Sequence, residues 1–420
     1  MSLPRFQAAT GTGGIGLVLT ALLPFALAYY LSYAFRAVNA MIATNLVAEL
    51  GLGPAELGLL TSVYFVLFAA IQIPLGILLD RYGPRQVQSI LLLFAAGGGV
   101  IFATGESFVV LTLGRACIGL GVSGCLMACF KANVMWFPRE RLPLMNGIAT
   151  SLGALGALSA TVPVGILVPA IGWRGIFWAL AALTVAVAAL IRLVVPEEPA
   201  HVSARKGESL RDQIAGLRQV YGSSFFWRLA VVASLNTSAF MSYQTLGAAP
   251  WLRDVAGLDA SGVANGLFLY NTGFLCGVLG IGALADFLLR RGIRPITSLT
   301  AVIALTLVTE ALFAAEATSI AYALCFAFGF FGSGTTLSYA VYGQHFPDYL
   351  AGRVNTAQNL VSFVVAFVMQ WGIGEIVAQW PARPDGGYAP EAHQAALLVV
   401  MGLTAIAYVW FLASRRKAAR

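Results

Sequence analysis

The sequence predicts an all-α membrane protein with twelve transmembrane helices in two pseudo-symmetric six-helix bundles. Of its 420 residues, 59% are hydrophobic and only 10% are charged, and its mean hydropathy is +0.82. Soluble domains carry about 25% charged residues. Long apolar runs recur along the whole chain, and one polar segment near its middle separates six runs from six. These three observations together predict the fold class.

Each run is long enough to cross a hydrocarbon core of ~30 Å, which takes about 20 helical residues. The predicted spans are 18–48, 55–79, 86–104, 107–135, 143–170, 173–195, 225–250, 261–285, 295–314, 319–344, 351–378 and 392–413. The first span follows a segment with a single arginine and no small-residue cleavage site. It is therefore interpreted as a retained helix and not as a signal peptide.

The polar segment predicts two domains. Residues 1–195 form the N-terminal bundle, residues 196–224 a cytoplasmic linker and residues 225–420 the C-terminal bundle. With both termini cytoplasmic, eighteen basic residues fall in cytoplasmic segments and three on the opposite side. This asymmetry follows the positive-inside rule. It predicts a multi-pass protein of the plasma (inner) membrane, and the net charge of +7 needs no nucleic-acid partner.

A turn recurs at the same place in each half. The second and third spans are joined by GILLDRYGPR (76–85), and the eighth and ninth by GALADFLLRRGIRP (282–295). A repeat of this kind points to two pseudo-equivalent bundles. We interpret these turns as gating elements, the alternative being charged turns that only enforce topology. The predicted gating residues are Gly76, Asp80, Arg81, Gly83, Arg85, Gly282, Asp286 and Arg290.

These motifs carry a family resemblance. GILLDRYGPR resembles the signature loop of the major facilitator superfamily, and LGRACIGLGVSG (113–124) is similar to its fourth-helix motif. GWRGIFW (172–178) is similar to its junction between the fifth and sixth helices. The resemblance covers essentially the whole chain. It implies the major facilitator fold and transport by alternating access.

Three basic residues lie deep in predicted spans, where a charge costs roughly 3 kcal/mol or more and normally faces a wet cavity or a partner. Arg36 shares one face of the first span with Tyr29, Tyr33 and Asn39, which suits a solvated path; alternatively, it bonds backbone carbonyls. Arg115 lies in the fourth span, where a structural role competes with binding. Lys131, nearer the cytoplasmic end, can instead reach the interface.

The sequence also resembles the anion:cation symporter branch of the superfamily. That resemblance implies that Arg36 and Arg115 form a clamp on a substrate anion. Two positions depart from the branch, because Phe35 and Val122 stand where it often has carboxylates. Proton symport therefore does not follow from the resemblance. The remaining membrane carboxylates, Glu310 and Glu375, are expected at the outer interface.

The second bundle offers polar residues at helical spacing, as a cavity lining requires. They also suit helix–helix contacts, which is the alternative. The sets are Asn236 with Tyr243; Thr335, Tyr339 and Tyr342; and Asn355, Asn359 and Ser362. The predicted substrate-binding residues are Tyr33, Arg36, Asn39, Arg115, Lys131, Asn236, Tyr243, Tyr339, Asn355 and Asn359.

The resulting prediction is a secondary active or facilitative carrier of small organic anions, such as carboxylates or sugar acids. A proton-driven exporter of drugs or other lipophilic solutes is the alternative. No phosphate-binding loop, nucleophile elbow or metal-ligand cluster occurs, so neither enzymatic activity nor a cofactor nor a metal is expected. The expected partners are an anionic solute and the lipid bilayer, and the protein is expected to be a monomer. The coupling proton or ion is left open.

Overall fold

A computed structural model describes residues 14–138, 141–196, 210–347, 350–384 and 386–418. Every regular element within these ranges is a helix, and each of the twelve predicted spans has a helical counterpart. We number these counterparts α1 to α12.

The first half contains α1 to α6. Helix α1 is Val18–Leu50, and α2 is Pro54–Ala70 followed, after a bend of 46°, by Gln72–Leu79. Helices α3 and α4 are Arg81–Thr104 and Phe108–Trp136. Helix α5 begins as Leu142–Ser159 and continues into Val162–Val194, which breaks at Gly172. The part of Val162–Val194 after this break is α6.

The second half contains α7 to α12. Helix α7 runs through Ser224–Ser242, the π-helical turn Tyr243–Gly247 and Ala248–Asp254. The others are α8 (Ala260–Arg290), α9 (Pro295–Ala314), α10 (Thr318–His345), α11 (Ala351–Val377) and α12 (Pro390–Ala418). A shorter linker helix, Leu210–Tyr221, lies inside the predicted linker and packs on α11, with Leu217 and Val220 buried.

By length and composition, nine helices in the described ranges could cross a membrane, or ten if α2 is counted as one bent span. The other two predicted spans are built from shorter pieces. Helix α5 is interrupted near Thr161, and α7 is divided by its π-helical turn. The architecture is thus consistent with twelve spans, and the broken helices explain why fewer pass a test of length alone.

The packing repeats between the halves. In the first half, α1 packs on α5 and on α6; in the second half, α7 packs on α11 and on α12. The first-half pairs α2–α4, α3–α4 and α3–α6 recur in the second half as α8–α10, α9–α10 and α9–α12. Each pairing of the first half therefore reappears six helices later. The two halves meet mainly where α2 packs on α11 and where α5 packs on α8. A shift of six helices converts one of these two contacts into the other.

The two repeated turns, between α2 and α3 and between α8 and α9, share a glycine with positive φ followed by a proline. In the first turn these are Gly83 (φ 74°) and Pro84, and in the second Gly292 (φ 84°) and Pro295. A positive φ suits glycine, which has no Cβ, and proline favours a helix start. The second turn begins later than the sequence motif suggests, because Gly282 lies inside the continuous helix α8.

Candidate functional site

Arg36 lies in α1 between the two halves, inside a cage of aromatic rings. Its guanidinium carbon is 4.5 Å from the ring centroid of Tyr33, and 5.7 to 5.8 Å from those of Tyr64, Phe68 and Phe363. The side chain is 4% exposed, and its Nε has no hydrogen-bond partner in the described part of the chain. Aromatic faces stabilise a cation. The Tyr64 side chain also interacts with the guanidinium through its hydroxyl, and the Nε–H donor is the one left for a further partner.

The cage joins the two halves. Phe363 belongs to α11 and packs on Phe68 of α2, with ring centroids 4.1 Å apart. Tyr33 stacks on Phe274 of α8 at 5.4 Å. Arg36 is therefore held by side chains from both bundles, at the surface where the two halves meet.

Asn39 lies one turn after Arg36 in α1. Its Nδ2 donates a hydrogen bond of 3.0 Å to Thr61 Oγ1 of α2, and its Oδ1 has no partner among the residues the structure describes. From the second half, the Tyr339 hydroxyl donates to Asn359 Oδ1 and lies within electrostatic range of Tyr33. Five of the predicted binding residues, Tyr33, Arg36, Asn39, Tyr339 and Asn359, thus gather around one interface.

A cavity of about 730 Å³ lies next to this cage, between the ends of α1, α2, α5, α7, α8 and α11 that are remote from the two repeated turns. Its lining includes Ala40, one turn beyond Arg36, and Leu57, two turns before Tyr64. Tyr243, which the sequence predicted as a binding residue, also lines it, at the start of the π-helical turn of α7. Departures from regular α-helix of this kind are frequent at functional sites.

Arg115 faces a different environment. Its Nη1 donates a hydrogen bond of 2.8 Å to the backbone oxygen of Phe35, and its guanidinium packs over the rings of Phe102 and Phe177. The side chain is 1% exposed and, like that of Arg36, is not part of the cavity lining. The structure therefore places Arg115 inside the first bundle, where its contacts come from α1, α3 and α6.

The remaining predicted binding residues lie apart from the cage. Lys131 Nζ donates a hydrogen bond of 2.6 Å to the backbone oxygen of Leu79, at the end of α2 next to the first repeated turn. Asn236 is fully buried in α7, and neither of its amide atoms has a hydrogen-bond partner within the described ranges. Asn355 lies one turn closer than Asn359 to the N-terminal end of α11 and is half-buried.

Two other residues predicted to line the cavity, Tyr342 and Ser362, are joined through the side chain of Gln358. Tyr342 donates a hydrogen bond of 2.5 Å to Gln358, whose amide donates to Ser234 and Ser362. This network links α7, α10 and α11. It fits the alternative that the sequence left open, in which polar residues hold membrane helices together.

The predicted gating residues lie in or near the two repeated turns. Arg85 donates two hydrogen bonds to the backbone oxygen of Arg192 in α6, while the Arg81 guanidinium lies 5.3 Å from the ring centroid of Tyr82. Gly76 lies in the second segment of α2, and the side chain of Asp80 is outside the described part of the structure. Gly282, Asp286 and Arg290 are exposed on α8.

Sequence reasoning missed two features. The first is the aromatic cage, although Tyr64 and Phe68 are spaced i, i+4 on α2 and could have indicated a ring-lined face. The second is Glu310. It was expected at the outer interface, but it is fully buried in α9, and neither carboxyl oxygen has a hydrogen-bond partner within the described ranges. Glu375, by contrast, is exposed and accepts a hydrogen bond of 2.8 Å from Trp371.

Comparison with known proteins gives a consistent family. The family profile described as Major Facilitator Superfamily matches residues 25–369. The chain is 28% identical over 206 residues to the probable sulfoacetate transporter of Cupriavidus necator, covering 48% of each. It is 34% identical over 130 residues to a nitrate/nitrite transporter of Picosynechococcus sp., covering 31% of this chain and 24% of that protein.

A chloramphenicol resistance protein of Streptomyces lividans is 29% identical over 245 residues, which is 58% of this chain and 60% of that protein. The chain therefore spans less than two thirds of the length of each of these relatives. Among solved structures, a bacterial homologue of the human lysosomal transporter Spinster, in an inward-facing conformation, superposes with a TM-score of 0.74. That comparison covers 96% of this chain and 98% of the other at 20% identity, and so supports the fold alone.

Proposed function

Because the chain belongs to the Major Facilitator Superfamily and is a transporter of that fold, we propose that it carries small organic anions by alternating access. In this proposal both termini are cytoplasmic and the protein lies in the inner membrane. Residues 1–195 and 225–420 form the two moving bundles, joined by the linker 196–224.

The observation that carries the proposal is the environment of Arg36. A guanidinium is always charged and can bind a carboxylate or sulfonate with two parallel hydrogen bonds. Within the described ranges no carboxylate pairs with Arg36, and the cage that holds it is built by both halves. An anion reaching it from the cavity would satisfy a buried charge and bridge the two bundles.

Export of drugs or other lipophilic solutes is the second candidate, and the similarity to a chloramphenicol resistance protein favours it. The two candidates differ in the charge of the solute. A neutral or cationic drug gains nothing from Arg36, whereas an anion depends on it. The charge preference of the binding site therefore separates them.

The test is the thermal stabilisation of the purified protein by sulfoacetate, nitrate, galactonate, benzoate, chloramphenicol and an organic cation. We expect at least one organic anion to raise the melting temperature of the wild type and not that of Arg36→Gln. Loss of a hydrogen-bonded charge pair is worth about 1.5–3 kcal/mol, so the affinity falls at least tenfold. Proteoliposome counterflow with the stabilising anion should then show uptake.

A matched control is Arg294→Gln, which removes a fully exposed arginine at the start of α9 and should bind like the wild type. Arg36→Lys keeps the charge without the planar fork and should bind with intermediate affinity. Stabilisation by chloramphenicol or the cation alone, or by an anion equally in Arg36→Gln, contradicts the proposal.

A further inference from the structure

We propose that the transported anion is a monoanion with a flat apolar body, such as an aromatic carboxylate or sulfonate. This inference rests on the proposed function and narrows it to a substrate class. Three properties of the described site support it: its net charge, its lining and its size.

The net charge follows from the cations at the cavity and its floor. Arg36, in the cage, has no carboxylate partner in the part of the chain that the structure describes. Arg115 has none there either, but its guanidinium donates to the backbone oxygen of Phe35 and lies outside the cage and the cavity lining. Arg253, at the cavity rim, contacts Asp254, with Nε 2.6 Å from Oδ1. The other oxygen of Asp254 is 2.8 Å from His393. A site with one uncompensated positive charge matches a single negative charge; a second anionic group would be buried without a partner, which is costly.

The lining argues for an apolar body. Most of the cavity wall consists of alanine, valine, leucine, isoleucine and proline side chains. Below it, the rings of Tyr64, Phe68 and Phe363 surround the guanidinium, and aromatic rings prefer offset-stacked or edge-to-face contacts with another flat ring. A sugar acid would have to desolvate several hydroxyls against these walls, and unpaired buried hydroxyls are unfavourable.

The size argues against the smallest anions. A cavity of about 730 Å³ lies within the usual range for organic ligands, roughly 300–1,000 Å³. Nitrate or a two-carbon acid would fill only a small part of it. A ring bearing its acid group at one end can place that group at Arg36 and leave its body between the cage and the cavity wall.

The experiment is isothermal titration calorimetry on the purified full chain. The probes are benzoate and benzenesulfonate, the neutral benzamide, the cation benzylamine, the dianion terephthalate, and galactonate. We expect the two aromatic monoanions to bind at least tenfold more tightly than each other probe. Phe363→Leu, which keeps an apolar side chain but removes a cage ring, should weaken benzoate binding by about three- to tenfold. Phe367→Leu, one turn away and outside the cage, should bind benzoate like the wild type.

The outcomes separate this inference from the proposed function. Tighter binding of galactonate or terephthalate, lost in Arg36→Gln, overturns the substrate class but keeps an anion carrier. Equal weakening by Phe363→Leu and Phe367→Leu overturns the role of the cage. Binding of benzamide or benzylamine in preference to every anion overturns the proposed function itself.

Discussion

Two buried arginines show how neighbours decide what a charge can do. The guanidinium of Arg115 bonds a backbone oxygen of α1 and is enclosed by two phenylalanine rings of its own bundle. That of Arg36 touches rings from both bundles and lies one turn below a cavity. Arg115 is therefore positioned to hold α1 in place, and Arg36 is positioned as the proposed anion site requires. The two environments differ because of how the helices are rotated and packed. The position of an arginine along a predicted span does not specify either property.

Glu310 supports a prediction about stability. A buried polar group without a hydrogen-bond partner costs about 1–3 kcal/mol, and both Glu310 oxygens lack one among the described residues. Glu310→Met, which fills a similar volume, should therefore raise the melting temperature of the purified protein. Glu375→Met is the control: Glu375 is exposed and hydrogen-bonded, so its replacement should change the melting temperature little. A lower melting temperature for Glu310→Met would show that Glu310 has a stabilising partner.

The residues of the site could be predicted from sequence only in part. Arg36, Tyr33 and Asn39 share a helix face, so their periodicity was enough to predict that they lie together. The rings of Tyr64 and Phe363 could not be assigned, because aromatic residues in an apolar span are as consistent with lipid contact or with a bundle core. Their role depends on which helices of the two halves adjoin, here α2 and α11.

At the scale of helices, apolar runs predicted every span, but not the irregularities inside them. The interruption of α5 near Thr161 and the π-helical turn of α7 lie within continuous hydrophobic sequence. The hydrophobicity of a segment indicates that it contacts lipid or protein. It does not indicate the backbone hydrogen-bond pattern within the span, because tertiary packing determines that pattern. The breaks between α2 and α3 and between α5 and α6 were easier to predict, because a glycine stands at each. Gly83 and Gly172 adopt the positive φ that glycine tolerates.

Equivalent helix pairs in the two halves approach closely at a glycine. A Cβ on Gly119 of α4 would overlap the backbone oxygen of Tyr64 in α2, and one on Gly329 of α10 would overlap that of Tyr270 in α8. Small residues at such crossings let membrane helices pack through their backbones. The two crossings are related by the shift of six helices that relates the halves.

We therefore expect Gly119→Ala and Gly329→Ala each to lower stability by about 1–3 kcal/mol, the usual cost of overpacking. Gly97→Ala in α3 is the matched control, because its Cβ would have no atom within 4 Å. Since alanine is the better helix former by about 1 kcal/mol in soluble hosts, this control should be as stable as the wild type or more so. Thermal melts of the three variants test the prediction, and equal behaviour of Gly119→Ala and Gly97→Ala would contradict it.

The whole molecule combines a repeated architecture with an asymmetric distribution of charge and space. The cavity lies at the ends of the helices opposite the turns that carry Arg81, Arg85, Arg290 and Arg294. Beneath it, the contacts of Tyr33 with Phe274 and of Phe68 with Phe363 close the interface between the halves. If the basic turns are cytoplasmic, this arrangement gives access from the outer side, and the aromatic layer separates the solute from the cytoplasm.

This orientation predicts which positions a membrane-impermeant thiol reagent can reach in intact cells. Asn45 is exposed on the cavity wall, and Thr297 is exposed in the first turn of α9, beside a basic turn. In a background lacking the exposed native thiol, Cys276→Ser, we expect Asn45→Cys to be labelled from outside and Thr297→Cys only after permeabilisation. A solute that fills the cavity should slow labelling of Asn45→Cys and leave that of Thr297→Cys unchanged. Reversed labelling would invert the proposed topology, whereas correct sidedness without solute protection would retain the topology and exclude the cavity as the route to Arg36.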